Sequence, residues 1–102
     1  MSHDLVLSRA AKKFIKKIKD KKLRDEFENA FRVIQKNPFD AGEMKKGDLA
    51  GVLGYDFSHN GTTYEIAYIL DEDEQGNFIL VILAGTREQF YEELKRYLKS
   101  SR

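Results

Sequence analysis

The dipeptide Asn60-Gly61 separates two runs in which apolar and polar residues alternate. The apolar positions are Leu53, Tyr55 and Phe57 before the dipeptide and Tyr64, Ile66, Tyr68 and Leu70 after it. Such alternation places the apolar side chains of each run on one face of a β-strand. Asn followed by Gly readily adopts the positive φ angles of a type I′ turn. Residues 53–70 are therefore predicted to form an antiparallel β-hairpin.

Two other apolar runs predict further strands. Residues 78–83 (FILVIL) are almost continuously apolar, which is typical of a strand in the interior of a sheet. Residues 5–7 form a shorter run, long enough for a buried strand but too short for a helix.

Three segments show the helical period. The apolar positions are Ala11, Phe14, Ile15 and Ile18 in the first, Leu23, Phe27, Ala30, Phe31 and Ile34 in the second, and Phe90, Tyr91, Leu94, Tyr97 and Leu98 in the third. Ser8 and Asp20 are suitable N-caps for the first two helices. The second helix is expected to stop at Asn37, since Pro38 disfavours the helical conformation of the residue before it.

The element order is then β-α-α-β-β-β-α, which is a mixed α+β domain with a mainly antiparallel sheet covered on one face by a helical hairpin. Residues 39–50 show no period and are expected to form a surface loop, a kind of segment that is often functional at this length. The length of 102 residues suits a single domain, residues 1–102.

Basic residues are concentrated near the N-terminus. Residues 9–24 contain nine of the 18 Lys and Arg residues and a single Asp, although the net charge of the chain is only +1. Such a cluster focuses positive potential on one face and favours a polyanionic partner such as RNA, DNA or an acidic polypeptide. A solvated helix face explains the same residues about equally well.

Several chemistries are disfavoured by composition. The chain has no Cys and only two His residues, so thiol catalysis and a closed zinc site are not expected. No glycine-rich phosphate loop or serine-nucleophile motif is present, and neither a cofactor nor a metal is expected. No apolar run approaches the length of a membrane span, and no secretory signal is recognisable, so we expect a cytoplasmic protein.

Arg87 and Tyr91 are the candidate pair for chemistry. Both follow the apolar strand, and they lie four residues apart on one face of the last helix, where an anion would meet free backbone amides. Arg can stabilise charge on a phosphate while Tyr moves protons. From spacing alone, a surface Arg87 and a core Tyr91 are the favoured interpretation.

The chain as a whole resembles the RelE/ParE superfamily of bacterial type II toxins. The resemblance rests on the Lys-rich helix pair ending in Asn37-Pro38-Phe39, the loop Leu49-Ala50-Gly51, the hairpin residues 64–68 (YEIAY) and the closing residues 84–91 (AGTREQFY). It implies a microbial-RNase-like fold and neutralisation by a co-encoded antitoxin. It also implies one of two activities: ribosome-dependent endoribonuclease cleavage of mRNA, or inhibition of DNA gyrase.

Carried onto this sequence, the resemblance assigns catalysis to Arg87 and Tyr91. It assigns mRNA binding to Lys45 and Lys46, and the basic first helix adds the candidate RNA-binding residues Lys12, Lys13, Lys16 and Lys17. Two hairpin positions that are often basic in the family hold Asp56 and Glu65 here.

These two acids leave three interpretations open. In the first, the chain is a nuclease that is either weak or uses Glu65 as its base. In the second, it is a gyrase inhibitor that acts by binding. In the third, it is an inactive relative that binds a protein partner. An exposed strand position is the favoured interpretation of Glu65. His59, at the hairpin tip, is expected to be a solvent-exposed turn residue rather than a catalyst.

Overall fold

A computed structural model of the chain describes residues 3–45 and 51–100, except for the side chains of Gln89, Tyr91, Tyr97 and Ser100. The elements in chain order are β1 (Asp4–Leu7), α1 (Arg9–Lys17), α2 (Lys21–Lys36), α3 (Pro38–Ala41), β2 (Glu43–Met44), β3 (Leu53–His59), β4 (Thr62–Asp73), β5 (Gly76–Thr86) and α4 (Arg87–Ser100). The mixed α+β class predicted from the sequence is confirmed.

The described strands form one five-stranded sheet in the order β1-β5-β4-β3-β2. Only β1 and β5 pair in parallel, and the other neighbours are antiparallel. The apolar strand predicted at residues 78–83 belongs to β5, which lies between β1 and β4 and has no free edge. Its position inside the sheet explains why its sequence is almost continuously apolar.

The β3–β4 hairpin has the predicted turn and register. Asn60 and Gly61 have φ angles of 50° and 79°, as a type I′ turn requires. His59 pairs with Thr62 beside the turn, and Leu53 pairs with Tyr68 at the far end.

Both of the helix caps that the sequence predicts, at Ser8 and Asp20, are formed. The Ser8 hydroxyl accepts a hydrogen bond from the Ala11 amide at 3.1 Å and donates one to the Ile82 carbonyl at 2.8 Å. It therefore starts α1 and ties this helix to β5. The Asp20 carboxylate accepts from the Lys22 amide at 2.9 Å and starts α2.

The sheet is covered on both faces. The larger core lies between the sheet and the α1–α2 pair, with Phe27 fully buried and in contact with the aromatic rings of Phe14, Phe31, Phe57 and Tyr64. The second core, formed by Phe90 and Leu94 of α4 against Ile82 and Leu83, covers the opposite face. A bulge in β5 inserts Ile82 between the residues that pair with Ala67 and Tyr68, which puts two consecutive side chains into the second core.

The expectation of a loop over residues 39–50 is wrong in its first part. Pro38 begins the short helix α3, because its fixed φ suits a first helical turn. Glu43 and Met44 then pair with Gly54 and Leu53 as an edge strand. Residues 46–50 lie outside the described part of the chain.

Candidate functional site

The hairpin register places two acidic residues side by side. Asp56 of β3 pairs with Glu65 of β4, and Glu65 pairs on its other side with Gly85 of β5. Arg87 begins α4 only two residues after Gly85. Three strands and the start of a helix therefore converge on one point of the sheet face that α4 covers.

Glu65 is buried, contrary to the expectation of an exposed strand position. Its side chain is only 4% exposed, and its Oε1 accepts a hydrogen bond from Nε of Arg87 at 2.7 Å. The ammonium group of Lys45 lies 3.7 Å from Oε2. Among the described residues, Oε2 is the only buried side-chain oxygen with no hydrogen-bond partner. It therefore retains lone pairs with which to accept a proton or a further hydrogen bond.

Arg87 contacts a second carboxylate on its outer side. Nη2 of Arg87 donates a hydrogen bond to Oδ2 of Asp56, and both side chains are 54% exposed. The guanidinium thus bridges a buried carboxylate and a solvent-accessible one.

Lys45 reaches Glu65 across a glycine. The backbone amide of Lys45 donates to the Val52 carbonyl at 2.8 Å, which holds this residue beside β3. A Cβ atom on Gly54 would lie 2.6 Å from Cε of Lys45 and 2.9 Å from its Nζ. The absence of a side chain at position 54 is therefore what allows the lysine side chain to lie over the strand.

These residues line a cavity of about 260 Å³. The described residues of its lining include three carboxylates, from Glu43, Asp56 and Glu65, and two cations, from Lys45 and Arg87. Sequence reasoning did not select Glu43, and it treated Asp56 only as a departure from the family pattern. Asp56 could have been found from the period of two, since it pairs with Glu65 across the predicted hairpin.

Comparison with known families identifies the chain. A model of the ParE-like toxins of type II bacterial toxin–antitoxin systems matches residues 5–95. The chain belongs to this toxin family. No curated protein matches the sequence.

Solved structures share the toxin fold at low identity. The RelBE2 toxin–antitoxin complex from Mycobacterium tuberculosis contains a chain with a TM-score of 0.64 and 20% identity, covering 85% of this toxin and 100% of that chain. The YoeB/ParE toxin from Agrobacterium tumefaciens has a TM-score of 0.67 and 19% identity, covering 82% and 98%. A chain of the intact RelBE complex from E. coli has a TM-score of 0.61 and 15% identity, and the match covers 82% of this toxin and 95% of that chain.

The toxin structure brings together three of the residues selected from the sequence, namely Arg87, Glu65 and Lys45. Tyr91 lies in α4, one turn after Arg87, and its side chain is among those not described. Lys46 lies outside the described residues. That the Tyr91 hydroxyl lies at the cavity therefore stays a prediction.

The basic residues of α1 lie elsewhere. The side chains of Lys12, Lys13, Lys16 and Lys17 are exposed and do not line the cavity. Lys13 and Lys17 instead border a groove of about 380 Å³ between α1, β5 and α4, whose floor includes Phe14 and Leu83.

His59 is not the solvent-exposed turn residue expected from the sequence. Its side chain is largely buried, and Nε2 lies 3.3 Å from Oδ2 of Asp20. Partial desolvation raises the pKa of Asp20, but hydrogen bonds from His59 and from the amides of Leu23 and Lys22 outweigh this effect and lower the pKa below its ordinary value. The pair links the hairpin tip to the start of α2, away from the cavity.

None of the helices in the described part of the toxin is long and apolar enough to cross a membrane.

Proposed function

We propose that this toxin is a ribosome-dependent mRNA endoribonuclease, with residues 1–102 acting as one cytoplasmic toxin domain. One observation carries the proposal: a buried carboxylate oxygen without a hydrogen-bond partner lines the same cavity as two cationic side chains. Cleavage of RNA through its own 2′-hydroxyl requires a proton acceptor and groups that stabilise negative charge on phosphorus. Glu65 supplies the first, and Lys45 and Arg87 supply the second.

The proposed reaction assigns one task to each residue. Oε2 of Glu65 accepts the proton of the 2′-hydroxyl while that oxygen attacks the neighbouring phosphorus. Lys45 and Arg87 stabilise the charge that develops on the phosphate oxygens. Tyr91 donates a proton to the departing 5′-oxygen, which leaves a 2′,3′-cyclic phosphate and a free 5′-hydroxyl.

Binding to the ribosome is assigned to a different surface. The exposed Lys12, Lys13, Lys16 and Lys17 of α1 would contact rRNA phosphates, whereas Lys45 and Lys46 would contact mRNA near the cavity. Because α1 and the cavity occupy different parts of the fold, binding and cleavage can be separated by mutation.

The test is to add purified toxin to ribosomes programmed with a defined mRNA and to map new 5′ ends by primer extension. The wild type should cleave, and Arg87→Ala should lose most cleavage while it still binds ribosomes. Arg32→Ala, the same change at an exposed position of α2 that lines neither the cavity nor the groove beside α1, is the matched control and should cleave normally. Tyr91→Phe tests proton donation with the ring retained. Cleavage by Arg87→Ala at the wild-type rate would refute the assignment.

A second candidate function is inhibition of DNA gyrase by binding alone. The excess of carboxylates among the described residues of the cavity lining, and the contact of Asp56 with Arg87, favour it, because acids oppose the binding of phosphate. A supercoiling assay with purified gyrase decides between the two. Inhibition by both the wild type and Arg87→Ala, without mRNA cleavage by either, would support this alternative. An inactive relative that only binds protein would fail in both assays.

A co-encoded antitoxin is the proposed protein partner of the toxin. Two of the similar solved structures, RelBE2 from M. tuberculosis and RelBE from E. coli, are toxin–antitoxin complexes. Co-expression of a short reading frame adjacent to the gene should relieve growth inhibition and yield a complex that purifies intact. Growth inhibition unchanged by every adjacent frame would argue against a co-encoded antitoxin.

A further inference from the structure

The two carboxylates that contact Arg87 differ sharply in their access to solvent. Glu65 is 4% exposed and binds Nε, on the inner side of the guanidinium. Asp56 is 54% exposed and binds Nη2, on the outer side. A ligand that approaches Arg87 from solvent therefore meets Asp56 before it meets Glu65.

Carboxylate and phosphate bind a guanidinium in the same way. Each presents oxygen atoms that accept hydrogen bonds from the same N–H groups of arginine. Because Asp56 already accepts a hydrogen bond from Nη2, a phosphate oxygen can take that N–H group only after the carboxylate has moved away. A negatively charged carboxylate that stayed nearby would also repel the phosphate.

We propose that Asp56 competes with phosphate for Arg87 and thereby sets the affinity of the cavity for RNA. The inference rests on the proposed function in one respect, namely that RNA phosphate is the ligand of Arg87. Asp56 is the displaceable partner, because an exposed ion pair contributes little free energy and a rotation about its side-chain bonds moves the carboxylate into solvent. Glu65 stays in place and keeps the guanidinium oriented.

The strand register explains why the competing carboxylate is in the right place. Asp56 lies directly across from Glu65 in the β3–β4 pair, so both side chains are on the sheet face that carries the start of α4. The backbone position of Asp56 is thus fixed by the ladder, and only its side chain needs to move.

The test measures binding without cleavage. The probe is a fluorescein-labelled ten-nucleotide RNA whose sugars are all 2′-O-methylated, and fluorescence anisotropy at low salt gives the dissociation constant. Asp56→Asn should bind roughly two- to fivefold more tightly than Asp71→Asn. Asp71→Asn is the matched control, since it makes the same charge change at an exposed position near the other end of β4.

A second comparison separates competition for Arg87 from general charge repulsion. In an Arg87→Ala background, Asp56→Asn should gain no more affinity than Asp71→Asn. The proposal would be overturned if Asp56→Asn raised RNA affinity equally with and without Arg87. It would also be overturned if, in the wild-type background, Asp56→Asn bound RNA no more tightly than Asp71→Asn. Thermal unfolding confirms that each variant is folded, and Asp56→Ser replaces Asp56→Asn if the latter is not.

The outcome is independent of whether the toxin cleaves RNA. The methylated probe has no free 2′-hydroxyl and cannot be cut, so the affinities of the variants can be compared without a nuclease assay. Conversely, cleavage of mRNA on ribosomes could be observed even if Asp56 had no effect on binding.

Discussion

Replacement of Glu65 by Gln is expected to lower RNA cleavage and raise RNA affinity at the same time. The amide keeps the size of the carboxylate but cannot accept a proton from a 2′-hydroxyl. A positioned general base contributes about 10²- to 10⁴-fold to a rate, so cleavage on ribosomes should fall by that factor. Removal of a negative charge next to Arg87 and Lys45 should meanwhile strengthen binding of a phosphate ligand.

The same substitution has a cost in stability that follows from the structure. Lys45 is 16% exposed and lies 3.7 Å from Oε2 of Glu65, so it would face a neutral amide in a mostly buried position. Loss of a charged partner at such a site costs about 1–3 kcal/mol. Each kcal/mol lowers the melting temperature of a domain this size by roughly 4–8 °C. The kinetic assay must therefore be run well below the melting temperature of the variant.

The assay pairs primer extension on programmed ribosomes with anisotropy on the 2′-O-methylated probe. Glu72→Gln is the control, because it removes an exposed carboxylate from the same strand far from the cavity. It should cleave at the wild-type rate and unfold within about 0.5 kcal/mol of wild type. Wild-type cleavage by folded Glu65→Gln would refute the role of Glu65 as base. Loss of both cleavage and affinity would indicate that Glu65 only orients the cations.

Three further predictions concern the rest of the molecule. Phe27→Ala should lower the free energy of unfolding in urea by about 3–5 kcal/mol, because the ring is fully buried. The same change at the exposed Phe39 should lower it far less, and similar losses for the two variants would contradict the packing. Burial raises the pKa of Tyr68 to about 12, so the unfolded state ionises first and the free energy of unfolding should fall between pH 10 and 12, by on the order of 2 kcal/mol. That fall should be absent in Tyr68→Phe, and its persistence there would assign it to another group. Reversing the charges of Lys16 and Lys17 should weaken ribosome binding and flatten its salt dependence, and an unchanged slope would show that these residues contact no phosphate.

Local patterns were sufficient to predict most elements of this fold. The alternation around Asn60-Gly61, the apolar run at residues 78–83 and the helical periods each depend on residues close in sequence, and all of these elements are present. The caps at Ser8 and Asp20 were equally local, because a cap satisfies amides two or three residues away. The edge strand β2 was missed since two residues carry no period, and only its pairing with β3 defines it.

The site itself depended on contacts between residues distant in sequence. The sequence identified Arg87, Lys45 and Glu65 as candidates, but only the folded chain shows that one buried carboxylate joins the two cations. Burial of Glu65 could not be read from its strand, because alternation says which residues share a face and not what covers that face. The covering is supplied by Lys45 lying across Gly54 and by Arg87 at the start of α4, which are brought there by sheet pairing over 20 or more residues. The sequence by itself determined the elements and the candidate residues, through local periodicity and turn chemistry, and the tertiary structure decided their burial and their partners.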